Sequence, residues 1–242
     1  MKNILETFAY RDEAEGALGR HSGLLASLIL LLVALPMVQY VAGGGGEARF
    51  PALLALVLVA AVVVNSHQRW TFIAGGVIAG ASVLGSVYAE INDATTVRLV
   101  SDMLGLTLLG FTTLIMLNSL LQAMDVSMDT VIGGICVYLL IGLCFAVFFI
   151  LLNDLEPGSF LRDGEAILRS KSDSSDHATA LLYFSFVTLT TLGYGDTTPS
   201  GDMAQMFAVS EAVIGQLYLT ILIAKLVGLY VSQRRQSPES KP

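Results

Sequence analysis

The sequence predicts an all-α membrane protein with six transmembrane helices and one re-entrant half-helix. Of its 242 residues, 54% are hydrophobic and only 14% are charged, and the mean hydropathy is +0.70. The apolar residues are concentrated in long blocks, and about 20 apolar residues in a helix cross a hydrocarbon layer of about 30 Å. A shorter apolar block lies directly before a glycine-containing segment. Together these observations indicate a polytopic membrane protein.

Six blocks of the sequence meet or approach the length of a transmembrane helix. They are residues 23–42, 50–65, 70–89, 99–121, 131–152 and 203–231. The block 178–190 is too short to cross the membrane once the segment after it is excluded, so we predict a half-helix there. The only long polar loop is expected at 153–177. The short connections before it predict antiparallel, sequentially adjacent helices.

Six crossings place both termini on one side of the membrane, and the basic residues indicate which side. The side of the termini carries Lys2, Arg11, Arg20, Arg69, Arg234, Arg235 and Lys241, with Lys225 close by. The opposite side carries Arg49, Arg98, Arg162, Arg169 and Lys171. Because basic residues favour the cytoplasmic side, we predict cytoplasmic termini and a multi-pass protein of the cell membrane.

The most specific pattern is the segment Thr191-Leu192-Gly193-Tyr194-Gly195. A dehydrated potassium ion needs oxygen ligands in place of water, and consecutive backbone carbonyls supply them if they point at one axis. Such a backbone needs positive φ values at some positions, which glycine adopts without a Cβ penalty. Gly193 and Gly195 are therefore expected at those positions.

The residues around these glycines have roles of their own in such a site. We expect the Thr191 hydroxyl to add a ligand at the inner end, and Leu192 and Tyr194 to point away from the axis. Asp196, immediately outside, would raise the local cation concentration and hold the outer end of the segment. One chain supplies one such segment, whereas a closed ring of ligands needs four. Because the sequence holds no second copy, this chemistry predicts a homotetramer.

The segment 188–196, TLTTLGYGD, resembles the potassium-channel signature, with Leu192 where Val or Ile is commoner. Residues 183–186 (YFSF) precede it, 197–199 (TTP) follow it, and 211–216 (EAVIGQ) open the last apolar block. These surroundings resemble the bacterial potassium channel family with a two-helix pore domain. The resemblance covers about residues 131–230, and the four earlier blocks carry no matching motif.

The resemblance implies a fourfold pore whose half-helix points its C-terminus at a central water cavity. Potassium would be bound by the carbonyls of Thr191, Leu192, Gly193 and Tyr194 and by the Thr191 hydroxyl, with Gly195 and Asp196 at the outer end. The expected function is passive, selective conduction of potassium, not catalysis. No cofactor is expected besides K⁺ ions in the filter. The expected partners are three further subunits and membrane lipids, with no nucleic acid and no other small-molecule substrate.

The chain then divides into four predicted parts. Residues 1–22 form a cytoplasmic segment, which is either a helix lying in the membrane interface or a disordered tail. Residues 23–122 form a four-helix transmembrane region that does not sense voltage. Residues 123–232 form the potassium-channel pore domain, with an outer helix, pore helix, filter and inner helix. Residues 233–242 form a cytoplasmic tail.

Three residues of the last block each have two explanations. Glu211 either tunes the filter or binds the half-helix, or it lies solvated or protonated near the outer interface. Lys225 either snorkels to the inner headgroups, or lines the pore or senses lipid. Gly215 is either a gating hinge, as in some relatives, or a small residue that permits close helix packing.

The sequence predicts weak or no voltage dependence. A sensor needs several charges that cross the field, and the fourth apolar block offers no base after Arg98. Arg98 and Asp102 are one helical turn apart and can pair. The histidines, His21, His67 and His177, lie in separate regions and predict no metal-ligand cluster.

Two other functional classes stay open at this point. The first is a subunit of a coupled potassium transporter, although such proteins usually carry four filter-like repeats in one chain and this chain carries one. The second is a non-conducting sensor or accessory membrane protein in which the first four helices act and the pore is vestigial.

Overall fold

A computed structural model describes residues 21–41, 77, 80–82, 84, 85, 88, 92, 95–124, 127–168 and 174–236. Within these residues, the helices are α1 (Ser22–Val41), α2 (Thr95–Gln122), α3 (Met128–Leu155), α4 (Ser174–Leu189) and α5 (Asp202–Gln236). The strands are β1 (Phe160–Arg162), β2 (Glu165–Ala166) and β3 (Thr197–Pro199). The scattered residues described between 77 and 92 are also helical.

Three of the described helices are long and apolar enough to cross a membrane. They are Thr95–Gln122, Met128–Leu155 and Asp202–Ser232. These spans contain three of the predicted blocks, and α1 matches the block at 23–42. The block 50–65 lies outside the described residues, as do most of 70–89, residues 1–20 of the predicted N-terminal segment and residues 237–242 of the predicted tail. The described helices make this a mostly helical protein, and three of them are long and apolar enough to cross a membrane.

Helix α3 lies at the centre and packs against each of α1, α2, α4 and α5. Its sequence is apolar on every side, as expected of a helix surrounded by other helices. It begins after Ser127, whose side chain accepts a hydrogen bond of 3.2 Å from the Thr130 amide. Asp129 in its first turn is favourably placed at the positive end of the helix dipole.

Polar contacts tie the neighbouring helices to the two ends of α3. At the start of α3, Asp129 Oδ1 accepts a hydrogen bond of 3.0 Å from the His21 amide, and its other oxygen lies 2.9 Å from the His21 ring. At the far end, Arg98 Nε lies 3.8 Å from Asp154 Oδ2. Sequence reasoning considered Asp102 as the partner of Arg98 and did not foresee this contact with α3.

The polar region after α3 is more ordered than predicted, so the expectation of a loop across 153–177 was wrong. Helix α3 continues to Leu155, and β1 and β2 form a hairpin around Asp163 and Gly164, whose φ values are 51° and 86°. An Asp-Gly pair is a typical two-residue hairpin turn because both positions need positive φ. β1 also pairs with β3, which gives a three-stranded antiparallel sheet in the order β2-β1-β3.

Aromatic and amide contacts pack this sheet against the helices. The rings of Phe149 on α3, Phe160 on β1 and Phe184 on α4 meet edge to face, with centroids 5.2 to 5.3 Å apart. Buried Asn153 donates through Nδ2 to the carbonyl of Ile167 at 2.7 Å, and the same nitrogen lies 2.7 Å from the ring Nε2 of His177. The sheet and the residues that follow β2 are therefore held to both α3 and α4.

Candidate functional site

The segment singled out in the sequence begins where α4 ends. The Leu192 amide donates to the Val187 carbonyl at 2.9 Å, and the Thr191 amide donates to the Thr188 carbonyl at 3.0 Å. This pair of bonds is a Schellman motif, in which the residue after the helix is left-handed. Thr191 takes that position with φ of 60°. A β-branched residue is strained there by about 1–3 kcal/mol, and sequence reasoning did not foresee it.

Left-handed residues alternate along the segment. Thr191, Gly193 and Gly195 have φ values of 60°, 59° and 79°, while Leu192 and Tyr194 between them lie outside the positive-φ region. The positive φ predicted for the two glycines is thus confirmed. When left-handed residues alternate with residues of negative φ, successive carbonyl groups can face the same side of the chain. This backbone therefore suits carbonyls directed at one axis.

The outer end of the segment is anchored to the β-hairpin. The carbonyl of Asp196 accepts a hydrogen bond of 2.8 Å from the amide of Asp163 in the hairpin turn. The Asp196 carboxylate accepts a second bond of 3.0 Å, from the amide of Thr197 at the start of β3. Since β3 pairs with β1, the sheet holds the C-terminal end of the segment.

Two large side chains of the segment are uncovered in a single chain. Leu192 is 58% exposed and Tyr194 is 67% exposed. The Tyr194 ring stacks on Tyr183 of α4, with centroids 6.4 Å apart and an interplanar angle of 5°. Apart from this stacking contact, the two side chains are largely uncovered within one chain.

The inner end of the segment is held at the carbonyl of Leu189, the last residue of α4. The Tyr138 hydroxyl of α3 donates to this oxygen at 3.2 Å. On α5, a Cβ added to Gly215 would lie 2.6 Å from the same oxygen and 2.8 Å from Leu189 Cδ1. Of the two explanations for Gly215, the structure therefore supports close packing through a small residue.

A buried polar contact joins the three helices around the segment. Ser185 Oγ on α4 lies 2.7 Å from the carbonyl oxygen of Gly142 on α3 and 2.5 Å from Glu211 Oε1 on α5. Ser185 and Glu211 are both fully buried. Glu211 therefore contacts the half-helix, which agrees with the first of its two explanations and excludes a solvated position within this chain.

Lys225 has a partner that neither of its explanations included. Its ammonium group donates to the carbonyl of Leu120, in the last turn of α2, at 2.5 Å. Carbonyls at a helix C-terminus lack intrahelical partners, and the negative end of the dipole favours a cation. Lys225 thus caps α2 from α5.

No metal cluster accompanies this segment in the part of the chain that the structure describes. There, no group of three or more His, Cys, Asp or Glu side chains is placed to bind a metal ion. His21 and His177 lie at different helices, as expected, and His67 lies outside the described residues. The oxygens that residues 191–196 can offer a cation are those of the backbone, the Thr191 and Tyr194 hydroxyls and the Asp196 carboxylate.

Comparison with known proteins places the similarity in the same region. Residues 137–232 match a family described as ion channel. A 46-residue stretch is 46% identical to two pore potassium channel c of Oryza sativa subsp. japonica, covering 19% of this chain and 10% of that protein. A 70-residue stretch is 30% identical to two-pore potassium channel 3 of Arabidopsis thaliana, covering 25% of this chain and 16% of that protein.

The matches support a potassium channel and ion transport as the functional class, and they agree with the helices of a membrane protein. The region matched to the ion channel family includes α4, residues 190–196 and α5 as far as residue 232. The chain spans only a small part of the length of both curated relatives. No solved structure matches it significantly.

Proposed function

We propose that the chain is one subunit of a homotetrameric potassium channel and that residues 191–195 form one quarter of its selectivity filter. The observation that carries this proposal is the alternation of left-handed residues at 191, 193 and 195, directly after the half-helix. A backbone of this kind suits oxygens directed at one axis, as a filter requires. The similarity to ion channels over 137–232 supports it independently.

In the proposed filter, the carbonyls of Thr191, Leu192, Gly193 and Tyr194 and the Thr191 hydroxyl replace the water shell of potassium. Repulsion between neighbouring ions keeps binding weak enough for flow. The negative end of the α4 dipole, about half an elementary charge, favours a cation below the filter. Asp196 adds negative charge at the outer mouth.

The tetramer is supported by what a single chain leaves uncovered. Leu192 and Tyr194 are more than half exposed. In an 18-residue apolar stretch of each span, only 11% of the α5 residues are buried within the chain, against 61% of the α3 residues. Three further subunits would cover the filter side chains and part of α5, and lipid would cover the rest.

The proposal extends to topology and voltage. Six spans with both termini in the cytoplasm would put the filter near the outer face of the cell membrane. Arg98 is the only basic residue of α2, and its Nε lies 3.8 Å from Asp154 at the end of α3. A lone arginine held there supports weak voltage dependence, because sensing needs several charges that cross the field.

Uptake of rubidium into proteoliposomes containing the purified full chain tests the proposal. We expect uptake without a second driving ion, block by barium and much slower uptake of sodium. Uptake that required a second ion gradient would favour a coupled transporter, and no uptake at all would favour a non-conducting protein.

Comparing alanine substitutions at two glycines, Gly193 in the proposed filter and Gly164 in the hairpin turn, makes the test specific to the filter. Gly193→Ala forces an L residue to φ of 59°, which costs about 1–2 kcal/mol in each chain, so rubidium uptake or its preference over sodium should be lost. Gly164→Ala creates a similar strain at φ of 86° in the hairpin turn, and neither added Cβ meets an atom within 4 Å. Selectivity should survive Gly164→Ala. Unchanged selectivity in Gly193→Ala would place the pore elsewhere.

A further inference from the structure

Helix α5 presents one narrow packed face to the rest of the chain, and Glu211 lies in the middle of it. The fully or nearly buried residues of this face recur every three or four positions and are Ala204, Ala208, Glu211, Gly215 and Tyr218. Four of these five residues are apolar or small. A fully buried carboxyl group in such a face needs a specific partner, because transfer of a carboxylate out of water is costly.

Its partner is a serine that has too few hydrogens for both of its contacts. Ser185 Oγ lies 2.7 Å from the Gly142 carbonyl oxygen and 2.5 Å from Glu211 Oε1. A serine hydroxyl carries one hydrogen, a carbonyl carries none, and an ionised carboxylate carries none. One hydrogen cannot make two short, well-formed bonds to two acceptors on different helices. Both contacts are hydrogen bonds only if Glu211 supplies the second hydrogen.

The surroundings of Glu211 agree with an uncharged group. Its second oxygen, Oε2, is buried without a hydrogen-bond partner among the described residues, and no ion pair is found for it there. On α3, the titratable group that interacts with it electrostatically is Tyr138, whose hydroxyl donates to Leu189. On α4, Tyr183 interacts with Asp196 at the outer end.

No cation of α5 lies near enough to change this conclusion. Lys225 is fourteen residues further along the helix, about 21 Å away, and it binds the Leu120 carbonyl. A buried ionised carboxylate without a cation would lose its hydration and gain at most the single hydrogen of Ser185 in return.

We propose that Glu211 is a protonated acid that donates to Ser185, which donates in turn to Gly142, so that one chain of hydrogen bonds clasps α5, α4 and α3 together. The clasp binds the half-helix one turn before Leu189, where the filter segment starts. Glu211 is thus a positioning residue: it fixes the half-helix that presents the filter. The effect on conduction rests on the proposed channel function, whereas the protonated state of Glu211 does not.

Infrared spectroscopy of the purified chain in liposomes tests the protonated state directly. A protonated carboxylic acid has a carbonyl stretch separate from that of a carboxylate, and this band shifts in D₂O if the acid hydrogen exchanges. We expect the band in the unsubstituted chain at neutral pH and its loss in Glu211→Gln. Glu156→Gln removes an exposed acid and should leave the band in place. Absence of the band from the unsubstituted chain would overturn the proposal.

Rubidium uptake tests the positioning role. Glutamine keeps a hydrogen donor of nearly the same shape, so Glu211→Gln should retain uptake close to that of the unsubstituted chain. Glu211→Ala and Ser185→Ala break the clasp, and uptake should fall by about fivefold or more, which corresponds to one neutral hydrogen bond. Thr107→Ala removes an exposed hydroxyl that bonds only within α2 and serves as the control.

The outcomes separate the two proposals. If Glu211→Gln is as impaired as Glu211→Ala, or if Ser185→Ala behaves as the control does, the clasp is refuted. If Glu211→Ala does not fold, Ser185→Ala, Glu211→Gln and the infrared band still decide the question. If the unsubstituted chain conducts nothing, the proposed function fails. The clasp can then still be tested by the infrared band and by the temperature at which Ser185→Ala loses its helix content.

Discussion

Replacing Gly215 with alanine should destabilise the packed chain, because the added methyl group would collide with the end of the half-helix. The new Cβ would lie 2.6 Å from the Leu189 carbonyl oxygen and 2.8 Å from Leu189 Cδ1. The oxygen belongs to the backbone and is also held by the Tyr138 hydroxyl at 3.2 Å. It cannot move away without shifting Thr191 and the start of the proposed filter.

The sign of the effect separates the two explanations of this glycine. In a helix interior, alanine is ordinarily more stable than glycine by about 0.5–1 kcal/mol. Overpacking costs about 1–3 kcal/mol, so once this gain is subtracted the net change at position 215 should be a loss of up to about 2.5 kcal/mol per chain. A glycine that served only as a hinge would show the opposite sign, because alanine would simply stiffen the helix.

Reversible unfolding in mixed detergent micelles, followed by circular dichroism, measures the free energy of unfolding of each variant. Gly228→Ala is the matched control, because it lies in the same helix and its added Cβ meets no atom of the chain within 4 Å. We expect Gly228→Ala to be neutral or stabilising and Gly215→Ala to be destabilising and to reduce rubidium uptake. Equal stabilisation by both substitutions would refute the close-packing explanation.

Two further substitutions test contacts on either side of the proposed filter. Asn153→Ala removes the amide that binds the Ile167 carbonyl and the His177 ring, so the free energy of unfolding should fall by about 1–3 kcal/mol, measured by the same unfolding assay. An unchanged free energy of unfolding would mean that these buried contacts do not stabilise the folded chain. Lys225→Met removes the cap on the Leu120 carbonyl and should cost about 1–2 kcal/mol, which Lys225→Arg should largely restore. Equal stability of Lys225→Met and the unsubstituted chain would contradict the capping role.

Sequence reasoning succeeded where the cause of a structure is local. The positions of α2, α3 and α5 follow from apolar runs, because the thickness of a bilayer sets the length of a spanning helix, although each helix extends beyond its predicted block by up to five residues. The positive φ of Gly193 and Gly195 follows from the missing side chain of glycine. The hairpin turn at Asp163 and Gly164 was also readable from its two residues, although we predicted a loop there.

Other features needed the packed chain. Ser185 and Glu211 are 26 positions apart, and Lys225 and Leu120 are 105 apart, so no local pattern brings either pair together. The left-handed Thr191 likewise contradicts its own preference, since the Schellman bonds and the anchored ends of the segment hold it there.

By itself, then, the sequence determined a mostly helical membrane protein and the position of the candidate filter, because helix length and glycine conformation depend largely on neighbouring residues. The three-stranded sheet was not part of the predicted all-α fold. Only the tertiary structure decided how Glu211, Gly215 and Lys225 are used. The reason is physical: a buried polar group or a close helix contact is defined by the atoms opposite it, and those atoms come from helices that are distant in the chain.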